Sequence, residues 1–126
     1  MTTGPEEAPG EMAASIAGWF RALADETRIR LMMQLKHHGE MSVGALGAAL
    51  GLSGPSASKQ LAILRTARIV RTRREGTTVY YSIRDQSIIQ VCEIVCGTLM
   101  EDHRRILRGI ENASLQPKAE TQEKIT

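Results

Sequence analysis

The stretch from Leu52 to Ile83, "LSGPSASKQLAILRTARIVRTRREGTTVYYSI", decides the fold. Ser53 carries the short hydroxyl that suits a helix N-cap. Pro55 falls in the first turn, where a missing N–H leaves no bond unmade. Ala57, Leu61 and Leu64 then recur on one helical face, which should turn inward. Ser56, Lys59, Gln60 and Ile63 lie on the other, and the helix is expected to run through Arg68. After it the period changes to two. β-Branched and aromatic residues flank the polar "REGT", which predicts a two-stranded hairpin with a basic tip.

On the N-terminal side, "SVGALGAALGLS" places Val43, Leu46, Ala49 and Leu50 on one face of a short helix that Gly51 ends. A short helix, a tight glycine-containing turn and a second helix with a polar outer face form the helix-turn-helix pattern. Its second helix can enter a major groove and present its N-terminal residues to base edges. Ser53, Ser56, Ser58, Lys59 and Gln60 stand at that end. Glutamine suits adenine, lysine suits guanine, and serine suits either. The hairpin is then a wing, with Arg71, Arg73, Arg74 and Thr77 available to phosphate or to the minor groove, and Arg65 behind them. From Ser53 to Arg74 there are six basic residues and no acidic one, although the whole chain carries only +2. Such a run is either a polyanion footprint or a solvated charged face.

The flanks complete an almost all-helical chain. Ile16, Trp19, Phe20 and Leu23 predict a first helix. Asp25 caps a second, "ETRIRLMMQLKHHG", whose apolar face is set by Ile29, Met32 and Met33 and broadened by Leu31 and Leu35. Asp85 caps a long last helix, about 87–111, with a seam of Ile88, Val91/Cys92, Val95, Leu99, Ile106 and Ile110. The fold class is therefore mainly α with a small β-hairpin wing. The organisation is a disordered arm (1–11), one winged helix-turn-helix domain (12–111) and a flexible tail (112–126).

Composition narrows the function. The 126 residues hold four aromatics, so packing rests on aliphatic and methionine side chains, and dimerisation is a common way to complete such a core. No run of 18 apolar residues predicts a membrane span. "MTTGPEEAPGE" lacks the basic and apolar regions of a secretory signal, so a reducing, cytoplasmic setting is expected. Neither a phosphate loop, a nucleophile elbow nor a paired-carboxylate motif is present, and an enzyme is not expected. His37 and His38 read as helix-end residues. An acidic protein partner for the basic surface, making the chain a protein–protein interaction module, is the alternative to double-stranded DNA.

"ALADETRIRLMMQL" and the Leu52–Ile83 stretch, with the long final helix, resemble the arsenic-repressor (ArsR/SmtB) family of winged-helix regulators over residues 12 to 111. The resemblance implies a homodimer built on the first and last helices, repression at an inverted-repeat operator, and release by a small inorganic inducer. The family's Cys-x-Cys sensor stretch corresponds to "EMSVGAL", where Ser42 and Gly44 replace the thiols. Its zinc site on the last helix corresponds to Asp85, Ser87, Thr98 and Glu101, with both histidines missing. Persulfide-sensing members pair an early cysteine with one on the last helix, and this chain has cysteines only on the last. Cys92 and Cys96 remain, one helical turn apart with Cβ atoms roughly 6 Å from each other. They are either a thiol sensor or small apolar residues in a seam. As a sensor they would take a soft metal or a metalloid such as arsenite, or undergo oxidation or persulfidation, with His103 of a second subunit as a further ligand. No cofactor is required.

Overall fold

The computed structural model describes residues 9–115. In chain order the elements are α1 (Pro9–Leu23), α2 (Glu26–His38), β1 (Glu40–Ser42), α3 (Val43–Leu50), α4 (Gly54–Thr66), β2 (Val70–Glu75), β3 (Thr78–Ile83) and α5 (Gln86–Leu115). The fold is mainly helical with a small antiparallel sheet, the winged helix-turn-helix arrangement. The described residues divide into two compact units, with the boundary between Ile89 and Gln90. The first is called the winged body below. No helix is long and apolar enough to cross a membrane.

The helix boundaries follow local chemistry. Asp25 accepts from the Arg28 backbone N–H at 3.1 Å, Ser42 from Ala45 at 3.1 Å, and Ser53 from Ser56 at 3.2 Å. Each side chain satisfies a donor that the first helical turn leaves open. Gly51 ends α3 in the left-handed region at φ 67°. Between α3 and α4 the chain turns tightly because Gly47 has no side chain. A Cβ there would meet the Leu52 carbonyl oxygen at 3.0 Å, and the Leu52 N–H bonds back to the Gly47 carbonyl at 2.8 Å.

Helix α4 ends two residues earlier than the sequence pattern suggests. The Arg68 N–H bonds to the Arg65 carbonyl at 2.9 Å, and the Ile69 N–H to the Leu64 carbonyl at 3.0 Å. These paired bonds form a Schellman cap, closed by the fully buried Leu64 and Ile69. Its left-handed residue is Arg68, at φ 63°. Glycine normally holds this place, and a side chain there costs about 1–2 kcal/mol.

The winged body's core is formed by Leu31, Met32, Leu35, Leu46, Leu61, Leu64, Ile69, Val70 and Ile88, with Ala22 and Leu23. Each fully buried leucine contributes roughly 1.5–3 kcal/mol of transfer free energy. Several expectations change. On α2 the buried set is Leu31, Met32 and Leu35, while Ile29 and Met33 are exposed. Ile63 packs against the core instead of facing away, and Ala49 is exposed. The sheet has three strands, in the order β1-β3-β2, because β1 pairs with β3 through Met41↔Tyr81. Residues 9–11 belong to α1 and 112–115 to α5, where an arm and a tail were expected. The rest of both lies outside the described residues.

Candidate nucleic-acid interface

The first turns of α4 carry the base-reading candidates. Ser53, Ser58 and Lys59 are exposed, and Ser56 and Gln60 are half-buried. Ala57, Leu61 and Leu64 are fully buried, which fixes the rotation of the helix and turns Lys59 outward.

Gln60 has a partner that the sequence did not reveal. Its Oε1 accepts from Arg28 Nη1 at 2.8 Å, across the gap between α2 and α4. The same guanidinium donates to the Ala22 carbonyl at 2.5 Å and to the Arg21 carbonyl at 3.4 Å. Arg28 therefore ties the end of α1 to α2 and α4. A guanidinium only donates, so the Gln60 oxygen must face it and the amide N–H groups must point elsewhere. The two-bond pairing of glutamine with adenine needs both halves of the amide. With one lone pair of its oxygen engaged and the oxygen held toward Arg28, Gln60 turns its N–H donors away from that bond, and these suit base acceptors such as guanine O6 or N7.

The wing sorts the basic block into two kinds of arginine. Thr72 and Tyr81 pair across β2 and β3, on the face that carries Val70 and Ile83 to the core. Arg71 and Arg73 occupy the opposite face. Gly76, at φ 63°, is the first of the two loop residues at the tip and supplies the left-handed backbone such a hairpin needs. Arg65, Arg71, Arg74 and Thr77 are exposed, as a contact surface requires.

Arg73 is different. Its Nε and Nη2 hold both Glu40 oxygens at 3.0 and 2.8 Å, its Nη1 holds Glu75 at 2.7 Å, and its guanidinium lies 4.7 Å from the Tyr80 ring centroid. The bond from Arg73 holds the Glu40 carboxyl below the usual carboxylate range, with Arg71 adding to the pull. Arg73, expected to touch phosphate, instead clamps β2 to β1 across β3.

None of the candidate sensor positions belongs to α4 or to the wing strands. Ser42 and Gly44, at the vacated Cys-x-Cys stretch, begin α3, and the Ser42 hydroxyl oxygen is committed to its cap. Asp85 accepts from the Ser87 N–H and hydroxyl, both at 2.9 Å, which hold its carboxyl below the usual range. Glu101 pairs with Arg104, Arg105 and Arg108. Cys92 and Cys96 both lie on α5, the first half-buried and the second exposed, and His103 is exposed two turns further on. Among the described residues no group of three or more His, Cys, Asp or Glu is placed to hold a metal ion.

The model of the bacterial regulatory proteins of the arsR family matches residues 25–72, from the α2 cap into β2. Over 118 residues the chain is 40% identical to the HTH-type transcriptional regulator KmtR of Mycobacterium tuberculosis, spanning 89% of this chain and 90% of that protein. The chain belongs to the ArsR/SmtB family of transcriptional regulators. Among solved ArsR-like structures, it is similar to the homodimeric winged helix-turn-helix DNA-binding domain Mb0332 of Mycobacterium bovis, described as a possible ArsR-family regulator. That match has a TM-score of 0.71 and 28% identity over 79% of this chain and 92% of that one. It is also similar to the AntR antimony-specific transcriptional repressor, with a TM-score of 0.67 and 28% identity over 82% and 98%. In the winged helix-turn-helix arrangement shared with these structures, α3 and α4 form the helix-turn-helix and β2–β3 the wing.

Proposed function

We propose that this ArsR-family chain is a homodimeric transcriptional repressor of an inverted-repeat operator, released by an inducer sensed at Cys92 and Cys96. The observation that carries the reading is the first two turns of α4. A serine-capped helix end presents Ser58 and Lys59 to solvent, with arginines uncompensated by acids behind them. Lysine in that place reads guanine, and the arginines release counterions from phosphate. Retardation of the protein's own promoter fragment in the presence of competitor DNA tests this. Lys59→Ala should relax discrimination at one base pair by about 1–3 kcal/mol. Operator binding unchanged in both Lys59→Ala and Gln60→Ala would overturn the docking.

Dimerisation is supported by the apolar faces of the single chain. Met12, Ile16 and Phe20 stand exposed on α1, as do Ile94, Val95, Leu99, Met100, Ile106, Leu107 and Ile110 on α5. Faces of this extent mark an interaction surface, and a solved relative is homodimeric. One chain supplies two thiols, short of the four ligands of a tetrahedral ion. Two α5 helices packed antiparallel would bring four together. His103 lies about 10 Å along the axis from Cys96, and in a different antiparallel register, one that sets it opposite a cysteine of the other subunit, it would serve as a further ligand. Similarity to an antimony-specific repressor favours a metalloid such as arsenite or antimonite over zinc. Titrating the operator complex with arsenite, antimonite, zinc, cadmium and a persulfide donor tests the site. An identical response from the Cys92→Ser/Cys96→Ser double variant to every inducer would make the thiols packing residues.

A further inference from the structure

The geometry points to a phosphate-binding cleft at the root of the wing, built by Arg65, Arg68, Arg71 and Arg84 and distinct from the base-reading end of α4. These four residues, with Val70 and Thr72, line an open cleft of about 310 Å³. Its lining residues include four arginines and one threonine, and no carboxylate residue. Among the described residues none of the four arginines is in an ion pair, whereas Arg73 close by holds two carboxylates. The neighbouring acids accept their hydrogen bonds from other partners, Glu40 from Arg73 and Asp85 from Ser87, and act on Arg71 and Arg84 only through their field. Like charges gathered with no carboxylate among them repel one another, and an oxyanion in the cleft relieves this. The planar guanidinium fork matches phosphate oxygens two at a time. The volume is at the lower end of the range for small-ligand sites, enough for a phosphate or pyrophosphate group.

The backbone supplies a second observation. Arg68 occupies the left-handed cap position at φ 63°, where glycine would be relaxed. Arg84 braces it, its Nε donating to the Arg68 carbonyl at 2.6 Å. Strain of this kind persists where the side chain serves a purpose that glycine cannot, and Arg68 is one of the residues that line the cleft. Arg65 lies nine residues beyond Ser56, about 14 Å along α4, and Arg71 is four residues from the last residue of β2 before the tip, about 13 Å. The cleft is thus set back from both reading positions. The phosphoryl group it takes comes either from operator DNA that follows the wing root or from a small free anion. The first source rests on the repressor reading, and the second does not.

The test uses the full-length protein. Without DNA, titration with pyrophosphate is followed by amide NMR. Operator affinity is measured separately across a range of salt concentrations. A free-anion site gives saturable shifts at the amides of Arg68, Arg71, Thr72 and Arg84, absent in Arg68→Gly. That variant should melt no lower than wild type, because glycine accepts the cap conformation. An operator site leaves the pyrophosphate spectrum unchanged, but Arg65→Gln/Arg71→Gln lowers the slope of log affinity against log salt by about 0.9 for each phosphate lost. If pyrophosphate shifts nothing and the double variant keeps the wild-type slope, the cleft binds no phosphate and the proposal falls. Saturable pyrophosphate binding by a protein that retains no operator would sink the repressor reading and leave the cleft standing.

Discussion

The winged body and the long part of α5 treat their apolar residues in opposite ways. Every buried hydrophobic of the described chain lies at or before Ile88. From Gln90 to Ser114 none is buried, and seven large apolar side chains are exposed. The family match, residues 25–72, falls wholly inside the body. The body's shape is thus set by contacts within one chain, and the role of α5 by whatever covers it.

The sharpest way to break this division is to damage each region in turn. Leu61→Ala, at a fully buried position, should lower unfolding free energy by about 2–5 kcal/mol in urea titration. Leu99→Glu, on the exposed face of α5, should instead shift sedimentation from dimer to monomer while the winged body keeps its circular dichroism. If Leu99→Glu unfolds the body as thoroughly as Leu61→Ala, the two regions are not separately specified.

A smaller effect is expected inside the body. Arg28→Ala frees the Gln60 oxygen and leaves the Ala22 carbonyl without that donor. Stability should fall by about 1–3 kcal/mol. Base preference opposite Gln60 should move toward adenine, as read by competition among operator variants. A double-mutant cycle between Arg28→Ala and Gln60→Ala that shows no coupling in operator binding would separate the two residues functionally.

The smallest effect concerns acid. Glu40 and Asp85 have folded-state pKa values lowered by their partners, so their stabilisation is complete above the ordinary carboxylate range and is lost as pH falls through the lowered values. Glu40→Gln should flatten the fall in melting temperature between about pH 5 and about pH 3. An acid limb identical to wild type would show that the Arg73 clamp contributes nothing to folding.

Signals that act over a few residues were legible. Ser53, Pro55, Gly51 and Gly76 fixed the recognition helix and the wing tip because caps and turns need only their neighbours. The phase of α2 was not, since Ile29, Leu31, Met32, Met33 and Leu35 leave apolar residues on several sides and only tertiary packing chooses among them. Strand β1 is three residues long, too short to show alternation. Arg68 read as helix because the position it fills usually announces itself with glycine. Arg73 and Gln60 looked available because their partners are 33 and 32 residues away. A charge run shows how many cations there are, not which are already matched.

The bond between Arg28 and Gln60 also bears on how such proteins can be re-engineered. It makes the recognition helix a poor cassette. Transplanting Ser53–Arg65 into a relative without an arginine at the matching place in its second helix would carry over the letters of Gln60 but not the direction of its amide. The hybrid would read a different base at that position than its donor. Exchange of operator specificity, on the proposed docking of α4, therefore requires moving two helices rather than one.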